Sequence, residues 1–130
     1  MRNYEKYTGI LLLAIAITLS ACKDDSYVRP TVLITSSVSY DTLIQPIFNA
    51  SCAISGCHVP SAQTPDLTAA NSFNNLWNYG LVDTAAPASS LLYEHLTATG
   101  GQSQMPPVGP ISPTMEGEIL AWIKQGAQNN

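Results

Sequence analysis

The sequence predicts a small all-α domain in which the loops are at least as long as the helices. Two observations carry this. Apolar residues recur at helical spacing in short segments, the first holding Leu43, Ile44, Ile47 and Phe48 and the last Ile119, Leu120, Trp122 and Ile123. Proline and glycine separate these segments, and the longest separator runs from Gly100 to Pro110. A chain of 130 residues has room for one such domain.

The N-terminus reads as an address rather than as part of the fold. Arg2 and Lys6 make a positive start, Ile10 to Ile17 is an unbroken apolar run, and Leu19-Ser20-Ala21-Cys22 follows. Charge, apolar core and small residues before a cut are the anatomy of a secretory signal. The apolar run is too short for a membrane span, which needs about 20 residues. Leu19-Ser20-Ala21-Cys22 resembles a bacterial lipobox, in which the cysteine is lipidated and becomes the first mature residue. Residues 1–21 are therefore expected to be a lipoprotein signal peptide and Cys22 a lipid anchor. The bland alternative is an ordinary signal peptide with a chance cysteine. Lys23 follows Cys22, so the inner-membrane retention aspartate of enteric lipoproteins is absent. Lys23-Asp24-Asp25 resembles the acidic export signals of some surface lipoproteins. The expected location is the periplasmic side or the surface of a bacterial membrane, with the outer membrane favoured.

Residues 22–38 read as the lipidated cysteine and a flexible tether, with Pro30 and a run rich in Ser, Thr and Val. The β-branched stretch Thr31 to Val38 has strand-like content but no evident partner strand. As a flexible coil such a tether spans roughly 20–25 Å. Cutting before Cys22 removes Arg2, Lys6 and Glu5, which takes the formal charge from −4 to −5. That balance leaves no basic patch for nucleic acid. It suits docking to a positive surface.

Residues 39–130 form the expected domain. Ser39 or Asp41 can cap the first helix, with Pro46 inside its first turn and a half, where a missing N–H costs least. The helix should end near Ala50. Asn71 to Trp77 is a second short helix, with Phe73, Leu76 and Trp77 on one face and Gly80 closing it. Pro87 and Ser89 open a third, with Leu91, Leu92 and Leu96 turned inward. In the last helix Ser112 is the N-cap and Pro113 the first helical residue. Glu116 and Glu118 lie near the positive end of its dipole, Lys124 lies near the negative end, and Gly126 stops it. A core this thin is marginal without a staple, so a bound apolar cofactor would be in keeping with the length.

With Cys22 assigned to lipid, Cys52 and Cys57 remain as a pair in an oxidising compartment. They are open to three readings: a disulfide, metal ligands, or anchors for a cofactor. The next residue, His58, distinguishes them. Cys52-Ala-Ile-Ser-Gly-Cys57-His58 is a C-x4-C-H relative of the C-x-x-C-H haem attachment motif. Each thiol can add to one haem vinyl group, His58 can take one axial position on the iron, and Met105, ahead of Pro106-Pro107, can take the other. A zinc site needs four ligands, and only His95 is left to complete one. Met115 and His95 are the other candidates for the distal position. Trp77 and Trp122 read as core or haem-edge packing. No paired carboxylates and no nucleophile with a base beside it are evident, so an enzyme is not expected.

These residues, in this order, resemble a class I cytochrome c, and more closely the small cytochrome c-like domains of bacterial lipoproteins. The resemblance lies in Ile44-Gln45-Pro46-Ile47-Phe48 running into Cys52–His58, then Asp66-Leu67-Thr68, Ser90-Leu91-Leu92-Tyr93, Met105-Pro106-Pro107 and Ile119 to Ala127. It covers about residues 38–130. It implies helices packed around one covalent haem c held by Cys52 and Cys57, iron ligated by His58 and Met105, and single-electron transfer to redox partner proteins. The chain is expected to act as a monomer. The departure is the cysteine spacing, which is two residues longer than usual and puts the formation of both thioethers in question. The other classes to weigh are a disulfide-stapled helical lipoprotein without haem and a haem enzyme or sensor with an open axial site.

If Cys22 carries the lipid, Cys22→Ser moves the protein from the membrane fraction to the soluble fraction. A mutant retained on membranes after a high-salt wash would contradict the anchor.

Overall fold

A computed structural model describes residues 31–130. The expected signal peptide, the expected lipid anchor at Cys22 and the expected tether up to Pro30 lie outside the described residues. The first helix opens at Tyr40, directly after Ser39, and on a wide turn. Tyr40–Ile44 is a π-helical turn that continues into helix α1, Gln45–Ser51. Ser39 is the cap, its hydroxyl accepting the Thr42 N–H at 3.4 Å. The Ile44 N–H reaches back five residues to the Ser39 carbonyl at 3.4 Å. The widening lies just ahead of Pro46, whose ring crowds the carbonyl four residues earlier and which has no N–H to offer it.

Helix α2 is Ser72–Asn78, a 3₁₀ turn spans Pro87–Ser89, helix α3 is Leu91–Thr97, and helix α4 is Pro113–Lys124. No strand occurs among the described residues, so the all-α expectation holds. The boundaries predicted for the second and last helices are met to within a residue. The third begins later, because the Pro87–Ser89 segment stays a separate turn. α4 is capped as expected, with the Ser112 hydroxyl accepting the Met115 N–H at 3.2 Å and Pro113 in the first turn. Gly126 ends it at φ +93°, a left-handed conformation that glycine adopts without strain. No helix among the described residues is long and apolar enough to cross a membrane.

Helices of seven residues are marginal in isolation, so packing must hold them. α4 supplies the platform and contacts both the opening π turn and α3. Ile119, Trp122 and Ile123 are almost fully buried, as are Ile44, Phe48 and Leu76. Tyr40, not anticipated as core, sits at the centre. Its ring lies 5.2 Å from those of Trp122 and Phe73 and 6.3 Å from that of Phe48. Such edge and tilted contacts add about 0.5–1.5 kcal/mol each beyond area burial. The Tyr40 hydroxyl donates to Ser72 Oγ at 2.6 Å, Ser72 donates to Gln45 Oε1, and Gln45 Nε2 donates to the Leu67 carbonyl at 3.2 Å. Burial pushes the Tyr40 phenol up to about 12, opposed in part by the Ser72 contact.

Three apolar-face assignments need correction. Leu43 and Leu91 are 38% exposed and Trp77 is 42% exposed, while their neighbours Ile44, Leu92, Leu96 and Leu76 are buried. These helical segments are short and each covers the core with one side only, so a flanking apolar residue stays in solvent.

The segment before Ser39 is less free than a tether. Val38 is buried, and its N–H donates to Gln125 Oε1 at 2.9 Å. Gln125 Nε2 donates in turn to the Ser36 carbonyl at 2.9 Å, and Ile34 packs on the core. At Gly117 of α4 a β-carbon would stand 2.5 Å from the Val32 carbonyl oxygen. The glycine leaves room for this strap.

Gly117→Ala tests that contact by its sign. Alanine gains roughly 1 kcal/mol of helix propensity over glycine. Forcing a methyl against the Val32 backbone costs about 1–3 kcal/mol. With the strap seated, the variant should be less stable in urea unfolding and should be cut faster by protease ahead of Val38. A more stable variant would mean that the strap is not packed there.

Candidate functional site

The end of α1 delivers the two cysteines. Cys52 is the helix C-cap, and its N–H donates to the Phe48 carbonyl at 2.9 Å. A turn follows in which the Cys57 N–H reaches the Ile54 carbonyl at 2.9 Å, with Gly56 at φ +81°. The His58 N–H then closes the loop on the Cys52 carbonyl at 3.0 Å. The two additional residues of the C-x4-C-H spacing are taken up in this turn, and Cys57 and His58 return beside Cys52. Both thiols are free and half-buried. Burial pushes the Cys52 thiol up to about 11, and the charge of a neighbouring Cys57 thiolate acts in the same direction.

His58 has a fixed tautomer. Its Nδ1 lies 2.9 Å from the Pro65 carbonyl oxygen. A carbonyl only accepts, so Nδ1 carries the proton in this contact, and the lone pair of the neutral ring falls on Nε2. That is how a metal-binding imidazole is usually held. The Pro65 carbonyl is itself held by a knot around Asp66. Asp66 Oδ1 accepts from the Thr68 N–H at 2.9 Å and the Thr68 hydroxyl at 2.7 Å, and Oδ2 accepts from Asn71 Nδ2 at 2.6 Å. Asn75 Nδ2 donates to the Asp66 carbonyl at 2.8 Å, and the Leu67 N–H donates to the His58 carbonyl at 2.9 Å. The Thr68 hydrogen bonds hold the Asp66 carboxyl below its ordinary value.

Met105 reaches the same region on the Gly/Pro loop after α3. Its N–H donates to the His95 carbonyl at 2.8 Å. Between the two arms lies a cleft of about 590 Å³. This is within the range of about 300–1,000 Å³ usual for cofactor sites. Cys52, Cys57 and His58 line one part of it, and Met105, Pro106 and Pro107 line another. Leu67, Leu81, Leu92 and Leu96 are among its apolar walls, with Tyr79 at an exposed position. The residues singled out from the sequence are thus brought to one apolar space.

Of the other distal candidates, Met115 is not in the lining and packs against the core instead. His95, which reads from the sequence as a surface or satisfied histidine, does line the cleft. Its Nδ1 lies 3.0 Å from the Ser103 carbonyl, a contact that places the lone pair of the neutral ring on Nε2. Trp77 is absent from the lining, and Trp122 is buried in the core. Among the described residues no group of three or more His, Cys, Asp or Glu side chains is gathered closely enough to hold a bare metal ion.

Sequence reasoning missed the Pro65 carbonyl and the Asp66 knot as supports for His58. The signal was present, because Asp-x-Thr ahead of an asparagine is a side-chain-to-backbone turn motif. It also missed Gln104, whose Nε2 donates to the Leu96 and Met105 carbonyls at 2.7 and 2.9 Å. No protein-family model, curated protein or solved structure matches the chain.

The Asp66 knot predicts an acid-sensitive site loop. A carboxyl depressed by folding adds stability above the ordinary value near 3.9, and loses it as pH falls through the lower folded value. Thermal midpoints of wild type should therefore fall faster than those of Asp66→Asn below about pH 4. Parallel curves for the two proteins would remove the knot from the account.

Proposed function

We propose that this chain is a membrane-anchored monohaem c-type cytochrome that carries single electrons. The observation that supports it best is the common cleft: Cys52, Cys57 and His58 meet Met105, which lies 47 residues beyond His58, across one apolar space. In this reading Cys52 and Cys57 would hold haem c through thioethers, and His58 Nε2 and the Met105 thioether would be the protein's two donors to its iron. The bound haem supplies the one-electron chemistry of its iron.

The protein's own part is to hold, orient and enclose. The Pro65 carbonyl fixes the His58 ring and its tautomer. Met105 offers a neutral, soft donor that favours the reduced iron over the oxidised one. A distal thioether also fills the position that an enzyme or gas sensor would leave for substrate. The leucine-rich walls offer an apolar surface, and apolar surroundings raise the cost of adding net charge inside. The acidic mature chain suits a redox partner with a positive surface. His95 is the second reading of the distal ligand, favoured by its place in the same cleft.

Expression with a cytochrome c maturation system tests the covalent reading. Haem should stay with the polypeptide through a denaturing gel and acid-acetone extraction, and Cys52→Ala with Cys57→Ala should abolish the stain. Extraction of all the haem into the organic layer would refute it. For the ligand, Met105→Ala should retain haem, lower the reduction potential by on the order of 0.1 V or more, and begin to bind carbon monoxide when ferrous. Met115→Ala and His95→Ala should do neither. The drop appearing in His95→Ala instead would transfer the distal role to that residue.

A further inference from the structure

We propose that Gln104 positions the Met105 thioether, an inference that rests on Met105 being the distal donor argued above. Met105 sits in a loop without regular secondary structure, and its side chain has three rotatable bonds. Where the sulfur points therefore depends on how firmly the backbone beneath it is held. The structure holds that backbone on both sides of the α-carbon. On one side the Met105 N–H donates to the His95 carbonyl at 2.8 Å. On the other, the Met105 carbonyl accepts from Gln104 Nε2 at 2.9 Å.

Gln104 ties this second side to the cleft itself. The same Nε2 donates to the Leu96 carbonyl at 2.7 Å and approaches the His95 carbonyl at 3.5 Å. Both carbonyls belong to the last turn of α3, where helix carbonyls have no partner within the helix. α3 is also the element that contributes Leu92, His95 and Leu96 to the cleft. One side-chain amide thus joins the end of a cleft-forming helix to the carbonyl of the distal residue. The residues that follow cannot replace it, since Pro106 and Pro107 have no N–H to donate. A residue at this position with the right reach but no N–H donor would leave Met105 held on one side only.

The experiment compares haem-loaded wild type, Gln104→Leu, Gln104→Ala and Met105→Ala. Leucine keeps most of the bulk but offers no donor, so it remains informative if alanine fails to fold. Carbon monoxide difference spectra of the ferrous proteins and redox titrations are taken well below each melting temperature. Loss of the amide should leave haem attached, raise the carbon monoxide-binding fraction about fivefold or more over wild type, and lower the potential. A purely structural role would lower the melting temperature and leave both readouts unmoved. Gln104→Leu and Gln104→Ala resisting carbon monoxide like wild type, while Met105→Ala binds it, would overturn the role of Gln104 and leave the distal assignment standing. Resistance in Met105→Ala as well would overturn both.

Discussion

The packing of Tyr40 between Phe48 and Trp122 is the contact on which the rest of the structure depends. It joins the beginning of the domain to its last helix, across more than 70 positions of sequence. The seam is closed at its edge by the Asp41 N–H and the Tyr40 N–H, which donate to the backbone and side-chain oxygens of Asn130, each at 2.9 Å. With α1 held in this way, its C-terminal end presents Cys52 at a fixed place. α4 then carries α3 on its flank, and α3 carries the loop that returns Met105. The two sides of the cleft are positioned by one core.

A fold with so much loop has few regular hydrogen bonds to spend, and side-chain amides and carboxylates replace them. Gln45 supports the Leu67 carbonyl, Asp66 and Asn75 support the Pro65–Thr68 turn, Gln104 supports Met105, and Gln125 clasps the strap at Ser36 and Val38. Each of these sits under or beside a segment that would otherwise leave backbone groups unpaired, which costs about 1–3 kcal/mol per buried group. Among the described residues no buried side-chain nitrogen or oxygen lacks a partner. The cleft walls are mostly apolar, with His58 and His95 among the few polar side chains that reach them, and the amides hold the lining in place.

Much of this was legible in the sequence. Helical spacing around Phe48 and Ile123, the Ser112-Pro113 cap and the stop at Gly126 all translate directly into α1 and α4, because capping and periodicity are local properties. Cys52, Cys57, His58 and Met105 could be named because each carries distinctive chemistry. What was not legible depends on tertiary position. Tyr40 lies four and eight residues before Ile44 and Phe48, on the same face, yet Ser39 and Asp41 are both eligible caps and only the first brings it into the helix. Leu91 and Trp77 have apolar side chains on helices too short to bury more than one face. His95 has no local feature that separates a cleft histidine from a surface one, and only the fold assigns it to the lining. The strap from Val32 to Val38 has the composition of a tether, and its docking depends on Gly117 and Gln125 far along the chain.

The central claim is that Cys52 and Cys57 together hold one haem beside His58. Mass spectrometry of the peptide spanning Ser51 to Gln63, from protein matured in cells that attach haem, tests it most directly. The account predicts a single species carrying the mass of one haem with no free thiol, which also settles whether the longer C-x4-C-H loop accepts both bonds. A haem-free peptide with the two cysteines joined as a disulfide, or left as alkylatable thiols, would contradict it.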